Sequence, residues 1–92
     1  MAVALPSLAQ FLGVSEAELM RKALRSLLLE QKSAVLQVRL EILARYRSSD
    51  IAELEQKIAA GAVTEHPGWE DLITAENLGA RLEEIDAYLR DL

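Results

Sequence analysis

The chain has 92 residues, of which 51% are apolar and none is cysteine, and its formal net charge is −5. This length allows one domain, and the lack of cysteine excludes disulfides and thiolate metal sites. We expect no signal peptide and no membrane-spanning helix, because no basic segment leads into an apolar stretch and no apolar run approaches about 18 residues. We therefore expect a cytoplasmic protein.

The apolar content is high for a chain of this length. A domain of this size buries only a modest share of its surface. The surplus of Leu, Ala, Ile and Val therefore predicts a surface that is covered by self-association or by a partner.

The charges are divided unevenly along the chain. Residues 1–47 carry seven basic and four acidic groups, for a net charge of +3, whereas residues 48–92 carry three basic and eleven acidic groups, for −8. In a small helical protein the simplest interpretation is that one half packs on the other. Separate basic and acidic ligand sites are the alternative.

Two helix starts are predicted in the first part of the chain. Ser7, followed three residues later by Gln10, is typical of a helix N-cap, and Gly13 is expected to end this short helix. Ser15 and Glu18 form a second and clearer capping box.

The stretch from Glu16 to about Arg47 contains neither Gly nor Pro, and predicts one helix roughly 45 Å long. Its apolar residues form two rows, so we expect neighbouring helices on two sides. Gln31 falls inside the first row, as a boundary residue or as a polar device that sets register. The first row is Met20, Leu24, Leu27, Leu28, Val35, Val38 and Ile42, and the second is Leu29, Leu36, Leu40 and Leu43.

Two further helices are predicted in the second half. Asp50 and Glu53 form a cap pair for a short helix that ends near Gly61, and Pro67 suits the first turn of the last helix. Gly79 either weakens the last helix by about 1 kcal/mol or marks a close helix crossing. The apolar residues of the last helix follow a coiled-coil-like spacing: Leu78, Leu82, Ile85, Leu89 and Leu92.

These elements predict an all-α fold, with a single domain over residues 1–92. A long central helix over about 15–47 follows a short N-terminal helix, and helices over about 50–60 and 67–91 fold back on it. The product is a helical bundle that we expect to be dimeric.

Side chains that could support catalysis are sparse. The only histidine, His66, lies near Glu65, Glu70 and Asp71, but these residues follow no recurring metal-ligand spacing. Carboxylates at a helix start explain them without a ligand. We find no phosphate-binding loop and no nucleophile motif. The sequence predicts no enzyme activity, no metal and no cofactor.

Candidate partner-binding residues lie in the last helix. Trp69 is the single large aromatic anchor, and tryptophan is enriched at interface hot spots. Within a single domain we favour a core position for Trp69, and an interface role is the alternative. The predicted partner-binding set is Trp69, Leu72, Ile73, Leu82 and Leu89.

Residues 3–6 read Val-Ala-Leu-Pro, and residues 12–25 read Leu-Gly-Val-Ser-Glu-Ala-Glu-Leu-Met-Arg-Lys-Ala-Leu-Arg. This pattern resembles the ribbon-helix-helix proteins, many of which are repressors and antitoxins. The resemblance implies a strand that pairs across a dimer and reads DNA. The strand positions Met1–Ala4 offer no hydrogen bond to a base edge, and net acidity disfavours phosphate binding. The implied nucleic-acid contacts are Ser15, Arg21, Lys22 and Arg25.

Residues 51–58 (Ile-Ala-Glu-Leu-Glu-Gln-Lys-Ile) and 65–72 (Glu-His-Pro-Gly-Trp-Glu-Asp-Leu), with the acidic helix that follows, are similar to small prokaryotic helical proteins that look like antitoxin components. This second resemblance implies an acidic region that wraps a basic toxin. We therefore expect a dimeric, non-catalytic, antitoxin-like protein that masks a toxin-like partner. A structural homo-oligomeric bundle and a ribbon-helix-helix DNA regulator are the alternatives.

Overall fold

A computed structural model describes residues 2–92, so Met1 of the predicted strand lies outside the described residues. The fold is all-α, as predicted, and within residues 2–92 there is no strand. The four helices are α1 (Leu5–Leu12), α2 (Glu16–Arg45), α3 (Ile51–Ala59) and α4 (Glu65–Asp91).

The long helix starts and ends close to the predicted positions. The Ser15 hydroxyl accepts a hydrogen bond from the Glu18 N–H at 3.0 Å, so Ser15 is the N-cap of α2. At the other end, the Lys57 ammonium donates to the carbonyls of Tyr46 and Arg47 at 3.0 and 2.7 Å. These carbonyls lack partners within the helix, and a lysine from α3 satisfies them.

The start of α1 differs from the prediction. The helix begins at Leu5, and Ala4 is its N-cap residue without a side-chain hydrogen bond, so Ser7 is not the cap. Pro6 lies within the first turn, where the N–H that proline lacks would have no helical partner. Pro6 therefore belongs to the first turn of α1, whereas the sequence predicts it before the helix start.

The short helix α3 is capped as expected. The Asp50 carboxylate accepts from the Glu53 N–H at 2.7 Å, and the Glu53 carboxylate accepts from both the N–H and the hydroxyl of Ser49 at 2.7 Å.

In α4, His66 has a non-helical backbone, so the regular helix continues from Pro67, as the sequence predicts.

Helices α2 and α4 form an antiparallel hairpin. Tyr46 at the end of α2 bonds to Asp71 near the start of α4, and Lys32 pairs with Asp86 farther along. The molecule is long and thin, with extents of 60 × 27 × 16 Å.

The main core lies where the hairpin closes, and it unites three helices. Its four members are Leu43 of α2, Leu54 and Ile58 of α3, and Leu72 of α4. Because α3 covers only this end, the remaining length of α2 is packed mainly against α4 alone, with α1 near its start.

Candidate protein-interaction surface

Much of the apolar surface of α2 is uncovered. Helix α4 covers part of the first row, and the core takes Leu43 from the second. The side chains left exposed on α2 have between 37 and 61% of their surface accessible. They are Met20, Leu24, Leu27, Leu29, Leu36, Val38 and Leu40.

The uncovered residues of the first row continue a regular pattern. We name as the α2 seam the six exposed positions Met20, Leu24, Leu27, Gln31, Ala34 and Val38. At about 100° per residue they lie within an arc of roughly 80°, which points about 90° away from the α4 side of the helix. The second row lies on the opposite side.

An apolar groove adjoins the α2 seam at the open end of the hairpin. It has a volume of about 320 Å³ and is lined by Leu24, Leu27 and Leu28 of α2 and by Tyr88, Asp91 and Leu92 at the other wall. Tyr88 is 66% exposed. The apolar surface therefore extends from α2 onto the end of α4.

The total surface shows how open the molecule is. The accessible area is 6729 Å², whereas a compact monomer of this mass exposes about 5,300 Å². The excess of about 1,400 Å² is larger than the roughly 800 Å² that one partner contributes to a standard protein interface.

The predicted partner-binding residues of α4 separate into three groups. Trp69 and Ile73 are 40 and 55% exposed, one turn apart on the side of α4 that faces away from α2. Leu82 and Leu89 are half-buried. Leu72 is 2% exposed and belongs to the core, so it is unavailable to a partner. The physical reason is that α3 packs over the side of α4 that carries Leu72.

The outer side of α4 is acidic around its exposed apolar pair. The helix holds eight acidic and two basic residues. Glu76, Glu83 and Glu84 are exposed and form no hydrogen bond or ion pair with the described residues of α2. Trp69 and Ile73 therefore form an apolar pair surrounded by carboxylates, an arrangement that suits binding to a basic protein surface.

The residues of the implied nucleic-acid site lie around the start of α2. The Ser15 hydroxyl caps α2, and Lys22 pairs with Glu18 at 3.2 Å. Arg21 and Arg25 are exposed. Ser15 and Arg21 line an open hollow of about 510 Å³ at this end.

The histidine of the sequence lies at the surface. His66 Nδ1 is 2.7 Å from Glu70 Oε1, and the side chain of His66 is 86% exposed. The pKa of Glu70 is lowered, first by the hydrogen bond to its own backbone N–H and then by His66. In residues 2–92, no group of three or more potential ligands is placed to hold a metal ion.

Two other titratable groups are shifted by hydrogen bonds within the fold. The bond to Asp71 raises the pKa of Tyr46, with smaller contributions from burial and from the Asp71 charge. The backbone and hydroxyl of Ser49, followed by Lys57, lower the pKa of Glu53 to about 2. The bond between Tyr46 and Asp71 joins the end of α2 to α4, and the bonds between Ser49 and Glu53 hold the start of α3.

These features define a class: an open, all-α helical hairpin with a large uncovered apolar surface. Across the described residues 2–92, no helix has the length and apolar character needed to cross a membrane. The chain belongs to the uncharacterized protein MJ0235 family, whose model matches residues 1–92. Neither the curated proteins nor the solved structures provide a match.

Proposed function

We propose that the chain is a non-catalytic protein-binding module that masks a basic partner protein through the outer side of α4. The observation that carries the proposal is the exposed pair Trp69 and Ile73 within an acidic helix. A cytoplasmic location and a toxin-like partner, as implied by the antitoxin resemblance, are part of this proposal.

The exposed pair supplies the apolar part of such an interface. Trp69 and Ile73 are four residues apart and therefore neighbours on the helix surface. Large aromatic side chains at the centre of an interface carry much of its binding energy. Ala80 and Ala87 continue the same side of α4 with small side chains, so a partner can approach the helix closely.

The charges supply selectivity for a basic partner. Carboxylates flank the pair on both sides along α4, and acidic surfaces attract basic ones and repel acidic ones. Long-range attraction of this kind is screened by salt. The proposal therefore predicts an interaction that weakens as ionic strength rises.

The experiment is a pull-down with the full chain from the source organism, with captured proteins identified by mass spectrometry. We expect a basic protein whose capture is lost in Ile73→Asp and in Trp69→Ala. It should also weaken between about 0.05 and 0.5 M NaCl. Phe11→Ala is the matched control, because Phe11 is an exposed aromatic residue on α1, 85% accessible.

The outcomes separate clearly. Capture that survives both α4 substitutions, or that is specific for an acidic protein, would overturn the proposal. Circular dichroism of each variant establishes that the helices remain, and Ile73→Asp is the more informative variant because Ile73 is the more exposed residue.

A further inference from the structure

We propose that the α2 seam is a homodimer interface, in which two copies of the chain pair antiparallel and their hairpins form a four-helix bundle. This inference goes beyond the proposed function, because the α2 seam and the outer side of α4 are different surfaces. The partner here is a second copy of the same chain.

The spacing of the α2 seam is that of a helix-pairing surface. The six positions follow one another at intervals of 4, 3, 4, 3 and 4 residues, and all are exposed. This alternation is the pattern by which one helix packs its side chains between those of another. Within residues 2–92, no other helix covers these positions.

The α2 seam is suited to pairing with itself. The α2 seam extends to both sides of Gln31, with Leu24 and Val38 each seven residues from it, so two antiparallel copies can meet across a two-fold axis at Gln31. This axis sets Leu24 opposite Val38 of the second copy. It also brings Leu27, four residues from the axis, within one residue of the level of Ala34, three residues from it. Gln31 then lies next to its own copy, where the two amides can bond to each other.

Charge selects the antiparallel direction. Glu16 and Arg45 lie at the two ends of α2, on the same side of the helix as the α2 seam. In the antiparallel register each Glu16 faces Arg45 of the second copy, whereas parallel pairing would set like charges together. The Arg45 side chain is 59% exposed and lies 3.7 Å from Asp71, so it remains accessible.

The contact extends beyond α2. The groove between the α2 seam and Tyr88 widens the apolar surface to the end of α4. Two hairpins packed face to face would cover both grooves and produce a four-helix bundle. The excess area of about 1,400 Å² per chain exceeds what a standard interface removes from each partner.

The second row is a poorer interface for a copy of the chain. Ser33 interrupts it between Leu29 and Leu36, and α3 already covers Leu43 at its end. The second row therefore provides a matched control surface on the same helix.

The first test is sedimentation equilibrium of the full chain over a range of concentrations. We expect a dimer for the wild-type chain and for Leu40→Glu on the second row. For Leu27→Glu we expect the dissociation constant of the dimer to rise roughly a hundredfold or more, because each copy would bury a carboxylate against apolar side chains. A monomeric wild-type chain at high micromolar concentration would overturn the proposal, as would a dimer broken by Leu40→Glu and unaffected by Leu27→Glu.

The second test uses the absence of native cysteine and keeps the fold intact. A mixture of Leu24→Cys and Val38→Cys chains should form a mixed disulfide, and neither chain should link readily to its own copy. Disulfides of Leu24→Cys with itself would indicate parallel pairing and contradict the model of antiparallel association. Each single charge reversal, Glu16→Arg or Arg45→Glu, should weaken the dimer. The double variant, which carries both reversals, should restore its stability.

These tests are independent of the proposed function. Ile73→Asp should remain a dimer even if it loses a basic partner, and Leu27→Glu should retain the outer side of α4. Loss of partner capture therefore tests the proposed function, and loss of the dimer tests the α2 seam, so the two proposals can fail separately.

Discussion

Lys32 Nζ lies 2.7 Å from Asp86 Oδ1, so an ion pair joins α2 and α4 in the open part of the hairpin. The side chains are 33 and 38% exposed. A partly exposed pair contributes about 0.5–1 kcal/mol of coupling. A double-mutant cycle with Lys32→Ala and Asp86→Ala, measured by urea unfolding at one protein concentration, should return this value. A coupling of zero would mean that the pair is not formed in solution.

Replacing Gly79 by alanine should stabilise the protein. A Cβ atom at Gly79 would lie 3.7 Å from the Arg39 guanidinium, an ordinary contact distance. Alanine favours the helix over glycine by roughly 0.5–1 kcal/mol. The measurement is the urea midpoint. Gly61→Ala is the control with the opposite expected sign, because Gly61 has a φ of 77° that alanine adopts poorly.

Truncating the main core should be costly. Leu54 is fully buried among Leu43, Ile58 and Leu72. Leu54→Ala should lower the free energy of unfolding by about 2–5 kcal/mol, through lost burial and the cavity that remains. Leu40→Ala removes the same atoms from a side chain that is 61% exposed, and should change stability by roughly 0.5 kcal/mol or less. Equal losses for the two variants would contradict the position of the core.

Tyr46 should ionise at a higher pH than its usual 10.0, because its hydroxyl donates to Asp71. Since the folded pKa is the higher one, the stabilising contribution is complete below about pH 10 and is lost as pH rises through the folded value. Absorbance titration of Tyr88→Phe, in which Tyr46 is the sole tyrosine, measures the pKa. Adding Asp71→Asn should bring it back towards 10.0; no change would exclude Asp71 as the cause.

Acid should weaken the junction between α2 and α3. Glu53 titrates at about 2 in the folded chain instead of 4.5, because Ser49 and Lys57 bind its carboxylate. Its contribution is present above pH 4.5 and is lost as pH falls through about 2. Urea midpoints between these pH values should fall less steeply for Glu53→Gln than for the wild-type chain. Parallel pH profiles would indicate that the carboxylate is not held by Ser49.

The local signals in the sequence were reliable where chain neighbours decide the structure. The caps at Ser15 and Asp50 are formed as predicted, because each capping bond closes between residues only three apart. The cap at Ser7 was wrong, because Pro6 is itself suited to the first turn of α1. The bond from Lys57 to the end of α2 had no sequence signal, since its partners are about ten residues away.

The candidate site shows the same division. The sequence placed Trp69, Leu72 and Ile73 in one predicted partner-binding set and favoured a core position for Trp69, whereas the structure leaves Trp69 and Ile73 exposed and buries Leu72. The spacing of apolar residues indicates the side of a helix on which they lie. It does not indicate which neighbouring helix covers that side. Here α3 buries Leu72, while no described helix covers the α2 seam.

The amino-acid sequence by itself determined the all-α class, the long uninterrupted helix and the excess of apolar surface, because helix propensity, capping and composition are properties of neighbouring residues. Only the tertiary structure decided which of the two rows α4 covers and where the core forms. Those outcomes depend on contacts between residues far apart in the chain, such as Leu43 with Leu72 and Lys32 with Asp86.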